Sequence, residues 1–338
     1  MSFPFNVYIA AAASGCLVSA IAVPPWRRWC LRTGQVDEPG HRKIHEQPIP
    51  LAGGLAVATG LLIPAVLAVL VLCWPGTRQW LHTTVLRNNA ADPVFLLKHG
   101  LDRRALELSG ILVGALGMLA LGWLDDRREL RPRPKFIGQF LVAFLVAASG
   151  ARITIFVPSV AFHYAVTILW ILTVVNAFNF MDNMNGLCTG LGAIGAWFFA
   201  TIASVQGQYL VGLIAFLIFG SLVGFLPYNF PRARAFLGDA GSHLVGYLLA
   251  VLAILPHFYT SHRPRHWAVM IPLLVLAVPL LDMAWVVILR WRIGQPFYVG
   301  DTNHLSHRLV RAGLTRVRAV VVIWVMAAAV GALSYLWL

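Results

Sequence analysis

The chain has 338 residues, of which 59% are hydrophobic and only 12% are charged, and its formal net charge is +13. Soluble domains carry about a quarter charged residues, so this composition excludes an ordinary soluble protein and predicts an integral membrane protein. The positive charge is expected to face anionic lipid headgroups at the inner membrane surface, and no nucleic-acid partner is expected.

Ten apolar stretches are long enough, or nearly so, to cross a bilayer core, which requires about 20 residues of helix. They lie near residues 5–25, 51–74, 107–124, 136–150, 162–180, 187–204, 208–226, 240–257, 267–289 and 317–337. These runs are too long and too continuous for the strands of a membrane β-barrel. We therefore predict an all-α polytopic integral membrane protein of about ten transmembrane helices, with residues 1–338 forming a single transmembrane domain.

The distribution of basic residues predicts the orientation. Of the 26 Lys and Arg residues, 18 lie in five alternate loops, near residues 26–50, 125–135, 182–187, 228–239 and 290–318. Because Lys and Arg are enriched on the cytoplasmic side of membrane proteins, these loops are predicted to be cytoplasmic, with the N- and C-termini outside.

Acidic residues gather in the same five loops. These loops hold nine of the 13, namely Asp37, Glu38, Glu46, Asp125, Asp126, Glu129, Asp182, Asp239 and Asp301. Asp282 is the acidic residue that lies clearly inside a predicted span. A transporter or lipid flippase tends to keep ionisable groups near the bilayer midplane, so the pattern favours chemistry at the cytoplasmic interface.

Two short motifs contain candidate catalytic carboxylates. LGWLDDRREL places Asp125 and Asp126 side by side, where they need a cation, a proton or a strong donor nearby. This pair suits a metal-phosphate site or general base catalysis, although a solvated helix end remains an alternative. FLGDAGS places Asp239 between glycines at a helix start, which suits either anion binding or simple N-capping.

Amides and basic residues complete the candidate set. In NAFNFMDNMNGL, Asn176 and Asn179 are three residues apart and therefore share a helix face. Carboxylate and amide oxygens suit Mg²⁺, although polar contacts between membrane helices are the alternative. DTNHLSHRLVRAGLT adds His304, His307 and Arg308, which suit either phosphate and sugar oxygens or lipid headgroups.

Together and in this order, the motifs resemble those of the polyprenyl-phosphate N-acetylhexosamine-1-phosphate transferase family. The resemblance runs from Asp37 to about Thr315 and is carried by DEPGHRKIHEQPIPLAGG, DDRREL, NAFNFMD, FLGDAGS and HLSHR. It implies an enzyme that transfers a sugar 1-phosphate from a UDP-sugar to a lipid phosphate and releases UMP. It also implies a multi-pass protein of the bacterial inner membrane, embedded in membrane lipids, with a cytoplasmic active site.

The resemblance favours UDP-N-acetylglucosamine as donor and undecaprenyl phosphate as acceptor, in a reaction that initiates cell-surface polysaccharide synthesis. Mg²⁺ is the implied cofactor, with Mn²⁺ as an alternative. A phospho-N-acetylmuramoyl-pentapeptide transferase and a catalytically impaired family member are the alternative interpretations. Whether the chain forms a homodimer stays open.

The resemblance also implies a role for each matching residue. Asp125 would be the base that readies the lipid phosphate, with Asp126 beside it and Asp182 supporting the site. Asn179 and Asp239 would hold Mg²⁺, and Phe236 would stack on uracil. The other implied substrate-binding residues are Arg42, Lys43, His45, Lys135, Asn176, Asn183, Asn185, His304, His307 and Arg308.

Three positions depart from the family pattern. Asn185 replaces a second aspartate, Ser306 replaces the middle histidine of HxHHR, and Glu129 stands where Asp or Asn is commoner. An Asn can still pair with the uracil imide edge, but it adds no charge. The arginine in HLSHR favours the GlcNAc-type branch, while Asn185 and Ser306 leave open another UDP-sugar or a reduced activity.

Overall fold

The computed structural model describes residues 3–39, 47–74, 76, 93–154, 157–256, 266–296 and 302–338. The α-helices are α1 (Phe5–Thr33), α2 (Gly53–Cys73), α3 (Pro93–Arg103), α4 (Ala105–Arg128), α5 (Pro132–Ser149), α6 (Val160–Met181), α7 (Leu187–Val205), α8 (Tyr209–Asn229), α9 (Gly238–Leu252), α10 (Ile271–Val275), α11 (Ala277–Arg292), α12 (Leu305–Arg311) and α13 (Arg316–Ala332). Short 3-10 helices cover His266–Met270 and Leu333–Trp337.

A short antiparallel pair of strands precedes α2. Strand β1 (Val36–Asp37) pairs with β2 (Ile49–Pro50), with Val36 opposite Pro50 and Asp37 opposite Ile49. The pair ties the two ends of the loop between α1 and α2 together. The predicted substrate residues Arg42, Lys43 and His45 lie outside the described residues.

The architecture is that of an all-α polytopic membrane protein. Within the described residues, seven helical segments are long and apolar enough to cross a membrane: α1, α2, α4, α6, α7, α8 and Arg316–Trp337. Each of the ten predicted spans overlaps helical structure. Helices α5 and α9 are not among the segments that are long and apolar enough to cross a membrane, and the ninth predicted span is broken. The predicted loops also contain helices, α3 and α12.

The ninth predicted span, over 267–289, is a bent pair of helical segments rather than one straight helix. Trp267–Val275 and Ala277–Arg292 meet at an angle of 73°, with the break at Leu276. Pro279 lies three residues after the break and has no backbone N–H to donate to the carbonyl of Val275, so an unbroken α-helical ladder cannot pass this point.

Helix α9 lies at the centre of the molecule. It packs against α2, α4, α6 and α7, and every one of its residues except Asp239 is buried. This environment explains why α9 needs no full membrane-spanning length, because other helices shield it from lipid. Its first turn, with Asp239, therefore faces the cavity described below.

Gly122 brings α4 into backbone contact with the start of α9. A Cβ added at Gly122 would overlap the carbonyl group of Asp239 and lie 2.6 Å from Ala240 Cα. Only glycine permits such a close approach of two helix backbones, as is common where membrane helices cross. The contact places the carboxylates that end α4 directly against the first turn of α9.

Candidate active site

Residues from several distant motifs line one cavity of about 1670 Å³, where the ends of α4 and α6 meet the starts of α5 and α9. The predicted site residues among its lining are Asp125, Asp126, Lys135, Asn176, Asn179, Asp182, Asn183, Asn185, Phe236, Asp239 and His307. His304 and Arg308 are not part of this lining. The fold thus unites the acidic, amide and glycine-rich motifs and the last histidine of HLSHR.

The Lys135 ammonium occupies the middle of the polar wall. Its Nζ lies 2.6 Å from Asp125 Oδ2 and 3.3 Å from Asp239 Oδ2. Nζ also donates to Asn179 Oδ1 at 3.4 Å. Three oxygens from three helices therefore face one cation, whose charge offsets the repulsion between the two carboxylates.

Asn179 holds the Asp239 carboxylate from the opposite side. Its Nδ2 donates to Asp239 Oδ1 at 2.6 Å and to Ser242 Oγ at 3.0 Å. One turn earlier on α6, Asn176 Nδ2 donates to Gln139 Oε1 at 2.8 Å. Both asparagines line the cavity, so the prediction that they share a helix face is confirmed.

Asp126 binds the backbone of α9 rather than another side chain. Its Oδ1 accepts the Asp239 N–H at 2.7 Å and its Oδ2 accepts the Ala240 N–H at 3.0 Å. Gly238, which begins α9, has a φ of +72°, a left-handed conformation that glycine adopts without steric cost. Asp126 therefore caps the first turn of α9 from a neighbouring helix.

Asp182, immediately after α6, also faces the start of α9. Its carboxyl accepts a hydrogen bond from the Gly238 backbone N–H. Burial, followed by the nearby carboxylates of Asp239 and Asp126, raises the pKa of Asp182 well above its usual range. The environment therefore favours the neutral acid at this position, so Asp182 can support the site without adding another negative charge.

The oxygens around Lys135 suit a hard divalent cation. Mg²⁺ prefers carboxylate and carbonyl oxygens and leaves several positions to water and phosphate. Asp125, Asp239 and the Asn179 amide oxygen offer such ligands on the cavity wall. Within the described ranges, no three carboxylate, imidazole or thiolate side chains form a metal-holding group. The residues thus fit a hard divalent cation that would take its remaining ligands from outside the protein.

Phe236 and Asn185 line the side of the cavity formed by the loop between α8 and α9. The Phe236 N–H donates to the Pro50 carbonyl at 3.0 Å, and its own carbonyl accepts the Gly53 N–H at 2.9 Å. This loop is therefore attached to β2 and the start of α2. Asn185 Nδ2 donates to the Pro231 carbonyl at 3.3 Å, which holds its amide beside the same loop.

The HLSHR motif forms the start of α12 beside the cavity. His304 is buried, and its Nδ1 lies 2.7 Å from Asp282 Oδ2. Ser306 is buried and donates its Oγ to Asn183 Oδ1 at 2.7 Å. The Arg308 side chain packs over Trp285, with 5.0 Å between the guanidinium carbon and the ring centroid.

His307 is the residue of this motif that lines the cavity. Burial, followed by the positive charges of His304, Arg311 and Arg316, lowers the pKa of His307. The shift favours the neutral imidazole, which can both donate and accept a hydrogen bond.

Apolar side chains also line the cavity. Its lining residues include Ile137, Leu169, Leu172, Val287, Val317 and Val320. Ile137 is 59% exposed and Leu169 is 66% exposed, although both lie on apolar helices. Exposed apolar side chains on membrane helices face lipid, so the cavity joins a polar wall to a lipid-facing surface.

Sequence reasoning did not select Gln139 and Ser242. Gln139 is fully buried and accepts the Asn176 amide, and Ser242 accepts the Asn179 amide. The spacing of Gln139, four residues after Lys135 in PKFIGQ, places the two side chains on the same helix face. Ser242 stands one turn after Asp239 in the same way. Their importance depends on the partner helix, which periodicity does not reveal.

Residues 108–257 match the profile of glycosyl transferase family 4. The chain is 30% identical over 318 residues to a probable undecaprenyl-phosphate N-acetylglucosaminyl 1-phosphate transferase of Bacillus subtilis, covering 92% of this chain and 79% of that protein. The chain belongs to this family. The matched residues include most of α4 and all of α6 and α9, the helices that carry Asp125, Asn179 and Asp239.

Two further relatives have related names. The chain is 29% identical over 359 residues to a decaprenyl-phosphate N-acetylglucosaminephosphotransferase of Mycobacterium tuberculosis, covering 98% of this chain and 83% of that protein. It is 27% identical over 315 residues to an undecaprenyl-phosphate alpha-N-acetylglucosaminyl 1-phosphate transferase of Yersinia pestis, covering 89% and 76%. These relatives therefore match this chain along most of its length.

Proposed function

We propose that this protein transfers N-acetylglucosamine 1-phosphate from UDP-N-acetylglucosamine to a polyprenyl phosphate, most simply undecaprenyl phosphate, and releases UMP. A lipid phosphate oxygen forms a bond to the phosphorus that carries the sugar. The bond from that phosphorus to the bridging oxygen breaks, and its electron pair leaves with UMP. The product is a lipid-linked sugar diphosphate suited to initiating cell-surface polysaccharide synthesis.

The observation that carries this proposal is the composition of the cavity. A wall with Asp125, Lys135, Asn179 and Asp239 shares the cavity with exposed Ile137 and other lipid-facing side chains. A polyprenyl phosphate has the same two chemistries, a charged head and an apolar chain. Holding both substrates in one cavity converts a bimolecular transfer into an oriented, effectively unimolecular step.

Within this cavity we assign the base or orienting role to Asp125. Its Oδ2 faces the Lys135 ammonium on the cavity wall, while its Oδ1 accepts the Leu130 N–H at 2.8 Å. Asp126 is committed to two backbone N–H groups of α9 and acts as a support. The acceptor phosphate supplies its own nucleophilic oxygen, so a direct displacement needs no covalent enzyme intermediate.

We assign Mg²⁺ to Asp239 and Asn179, with Asp125 close by, and Mn²⁺ as an alternative ion. When bound, a divalent cation would offset the negative charge of the donor's diphosphate and the charge that develops on the departing UMP. Lys135 adds a permanent positive charge at the same wall, and His307 offers a neutral imidazole to phosphate or sugar oxygens. Phe236 offers a ring for the uracil, and Asn185 an amide for its imide edge.

We place the protein in the bacterial inner membrane with this cavity on the cytoplasmic side and both termini outside. UDP-sugars are cytoplasmic metabolites, so a site that uses one must open to that side. The bias of Lys and Arg towards the loops at this end of the molecule supports the orientation.

The test is UMP release by the purified protein with Mg²⁺, undecaprenyl phosphate and one UDP-sugar at a time. UDP-N-acetylglucosamine should support turnover, whereas UDP-N-acetylmuramoyl-pentapeptide and UDP-glucose should not. Omission of undecaprenyl phosphate or chelation of the metal should stop UMP release. Turnover with another UDP-sugar alone would correct the donor, and no UMP release with any donor would reject the transferase assignment.

A further inference from the structure

Asp282 is a buried acidic residue of α11 that the proposed reaction leaves without a role. Asp282 is 5% exposed, while its neighbour Met283 and the nearby Val287 line the cavity. An ionisable group within a membrane helix is costly unless it has partners, so the partners indicate what Asp282 does.

Both carboxylate oxygens of Asp282 bind the start of α12. Oδ2 lies 2.7 Å from His304 Nδ1, and Oδ1 accepts the Leu305 N–H at 2.6 Å. His304 is itself 5% exposed and packs edge-on against Phe180, with 5.6 Å between the ring centroids. His304 is therefore enclosed between Asp282 of α11 and Phe180 at the end of α6.

Helix α12 transmits this attachment to the cavity. The next residue after Leu305 is Ser306, which is fully buried and donates to Asn183 Oδ1 at 2.7 Å. His307 follows and lines the cavity. Because α12 is only seven residues long, attachments at Leu305 and Ser306 determine its rotation, and so the direction of the His307 side chain.

We propose that Asp282 is a positioning residue for His307, acting through His304 and the first turn of α12. Asp282 attaches α12 to α11, the Ser306–Asn183 hydrogen bond attaches it to the end of α6, and together they hold the His307 imidazole in the cavity wall. This proposal rests on the proposed transferase function for its catalytic consequence. It assigns His304 to support rather than to substrate contact.

A double-mutant cycle tests the catalytic consequence. Asp282→Asn should lower kcat/KM for UDP-N-acetylglucosamine by about 10- to 100-fold, the usual effect of losing a supporting hydrogen bond to a ligand-contacting group. In a His307→Ala background, the same change should cost less than about threefold, because the positioned group is gone. The proposal would be overturned if Asp282→Asn lowered kcat/KM by the same factor in both backgrounds, or if Asp282→Asn alone kept full activity. Asp102→Asn, on the exposed face of α3, is the matched control and should leave activity unchanged.

Positioning is also measurable without turnover. A cysteine introduced by His307→Cys, in a chain with Cys16 and Cys73 replaced by serine, should react with a small maleimide at a different rate when Asp282→Asn is added. Equal rates would contradict the proposal. If the unsubstituted protein released no UMP, the proposed function would fail, whereas this labelling result would still decide whether Asp282 positions α12.

A second pair of variants covers the case in which Asp282→Asn does not fold. His304→Asn retains a side-chain donor directed at Asp282 and should preserve the labelling rate at position 307. His304→Leu removes the donor and should change that rate. Identical rates in the two variants would show that the Asp282–His304 hydrogen bond does not position α12.

Discussion

Asp125 and Asp126 are neighbours in the chain but have different partners. Asp125 Oδ2 lies 2.6 Å from the Lys135 ammonium on the cavity wall, whereas both oxygens of Asp126 accept backbone N–H groups of α9. A carboxylate that already holds two amide donors is poorly placed to orient a substrate. These contacts favour Asp125 for the proposed proton transfer or orientation of the substrate, and Asp126 for capping of α9.

Asp125→Asn should lose more activity at acidic pH than at alkaline pH. The second pKa of a phosphate monoester is about 6, so a lipid phosphate becomes increasingly protonated below this pH and then needs a base. Above it the dianion is already formed, and the base matters less. The measurement is kcat/KM for undecaprenyl phosphate between pH 5.5 and about 9. A loss of equal size at every pH would make Asp125 an electrostatic or orienting residue.

Asp239→Asn should abolish turnover and remove the dependence on Mg²⁺ concentration. Asp239 is the partly buried acidic residue of an otherwise buried helix, and its carboxylate faces Asn179 and Lys135. Losing a charged ligand of a hard cation should reduce kcat by several orders of magnitude, equivalent to roughly 4 kcal/mol or more of transition-state stabilisation. UMP release across an Mg²⁺ titration provides the measurement.

The matched control for this change is Asp102→Asn. Asp102 is 60% exposed and pairs with Lys98 one turn away on α3, far from the cavity lining. The Asp102→Asn variant loses one negative charge, as Asp239→Asn does, and should keep the activity and the Mg²⁺ dependence of the unsubstituted protein. Wild-type turnover by Asp239→Asn at ordinary Mg²⁺ concentration would remove Asp239 from the metal site.

At the scale of the elements, α9 is the part on which the site depends. It is buried along its length and meets α2, α4, α6 and α7, so each neighbouring helix is located relative to it. The carboxyls of Asp126 and Asp182 both bind its first turn, one from α4 and one from the end of α6. Movement of α9 would therefore separate Asp239 from Asn179 and Lys135.

Gly122→Ala should destabilise the protein and reduce turnover together. The added Cβ would overlap the Asp239 carbonyl, and relieving that overlap must push α4 away from α9. Overpacking of this kind costs about 1–3 kcal/mol. Thermal unfolding in detergent and UMP release measure the two effects. Gly195→Ala is the control, because its Cβ would meet leucine methyl groups at an ordinary 3.4 Å. Normal activity of Gly122→Ala would contradict the need for this close contact.

At the scale of the whole molecule, the cavity combines residues from the amino-terminal and carboxy-terminal halves. Its lining runs from Val36 in β1 to Val320 in α13. The described parts of the motifs therefore lie around one cavity, at one end of the helix bundle. The predicted orientation, with the Lys- and Arg-rich loops in the cytoplasm, makes this the cytoplasmic end.

Cysteines introduced by Arg128→Cys and Arg311→Cys should react with a membrane-impermeant maleimide only after the cytoplasm is made accessible. Arg128 ends α4 and Arg311 ends α12. Both lie in loops that are predicted to be cytoplasmic, at 125–135 and 290–318. Val205→Cys, in a predicted outer loop and 67% exposed, is the control that should react in intact cells. Cys73 is exposed and should first be replaced by serine. Labelling at position 128 or 311 from outside would reverse the orientation.

The sequence by itself determined the membrane class, the helical segments and the motifs that form the polar wall. Apolar run length and the three-residue spacing of Asn176 and Asn179 are local properties, and the chemistry of amides and carboxylates does not depend on the fold. Only the three-dimensional arrangement shows that Asp125 contacts Lys135 while Asp126 binds the backbone of α9, that Asp282 contacts His304, and that the ninth predicted span bends at Leu276. Those outcomes depend on which groups from distant segments come within hydrogen-bonding distance, and neither spacing nor composition encodes that distance for residues more than a helix apart.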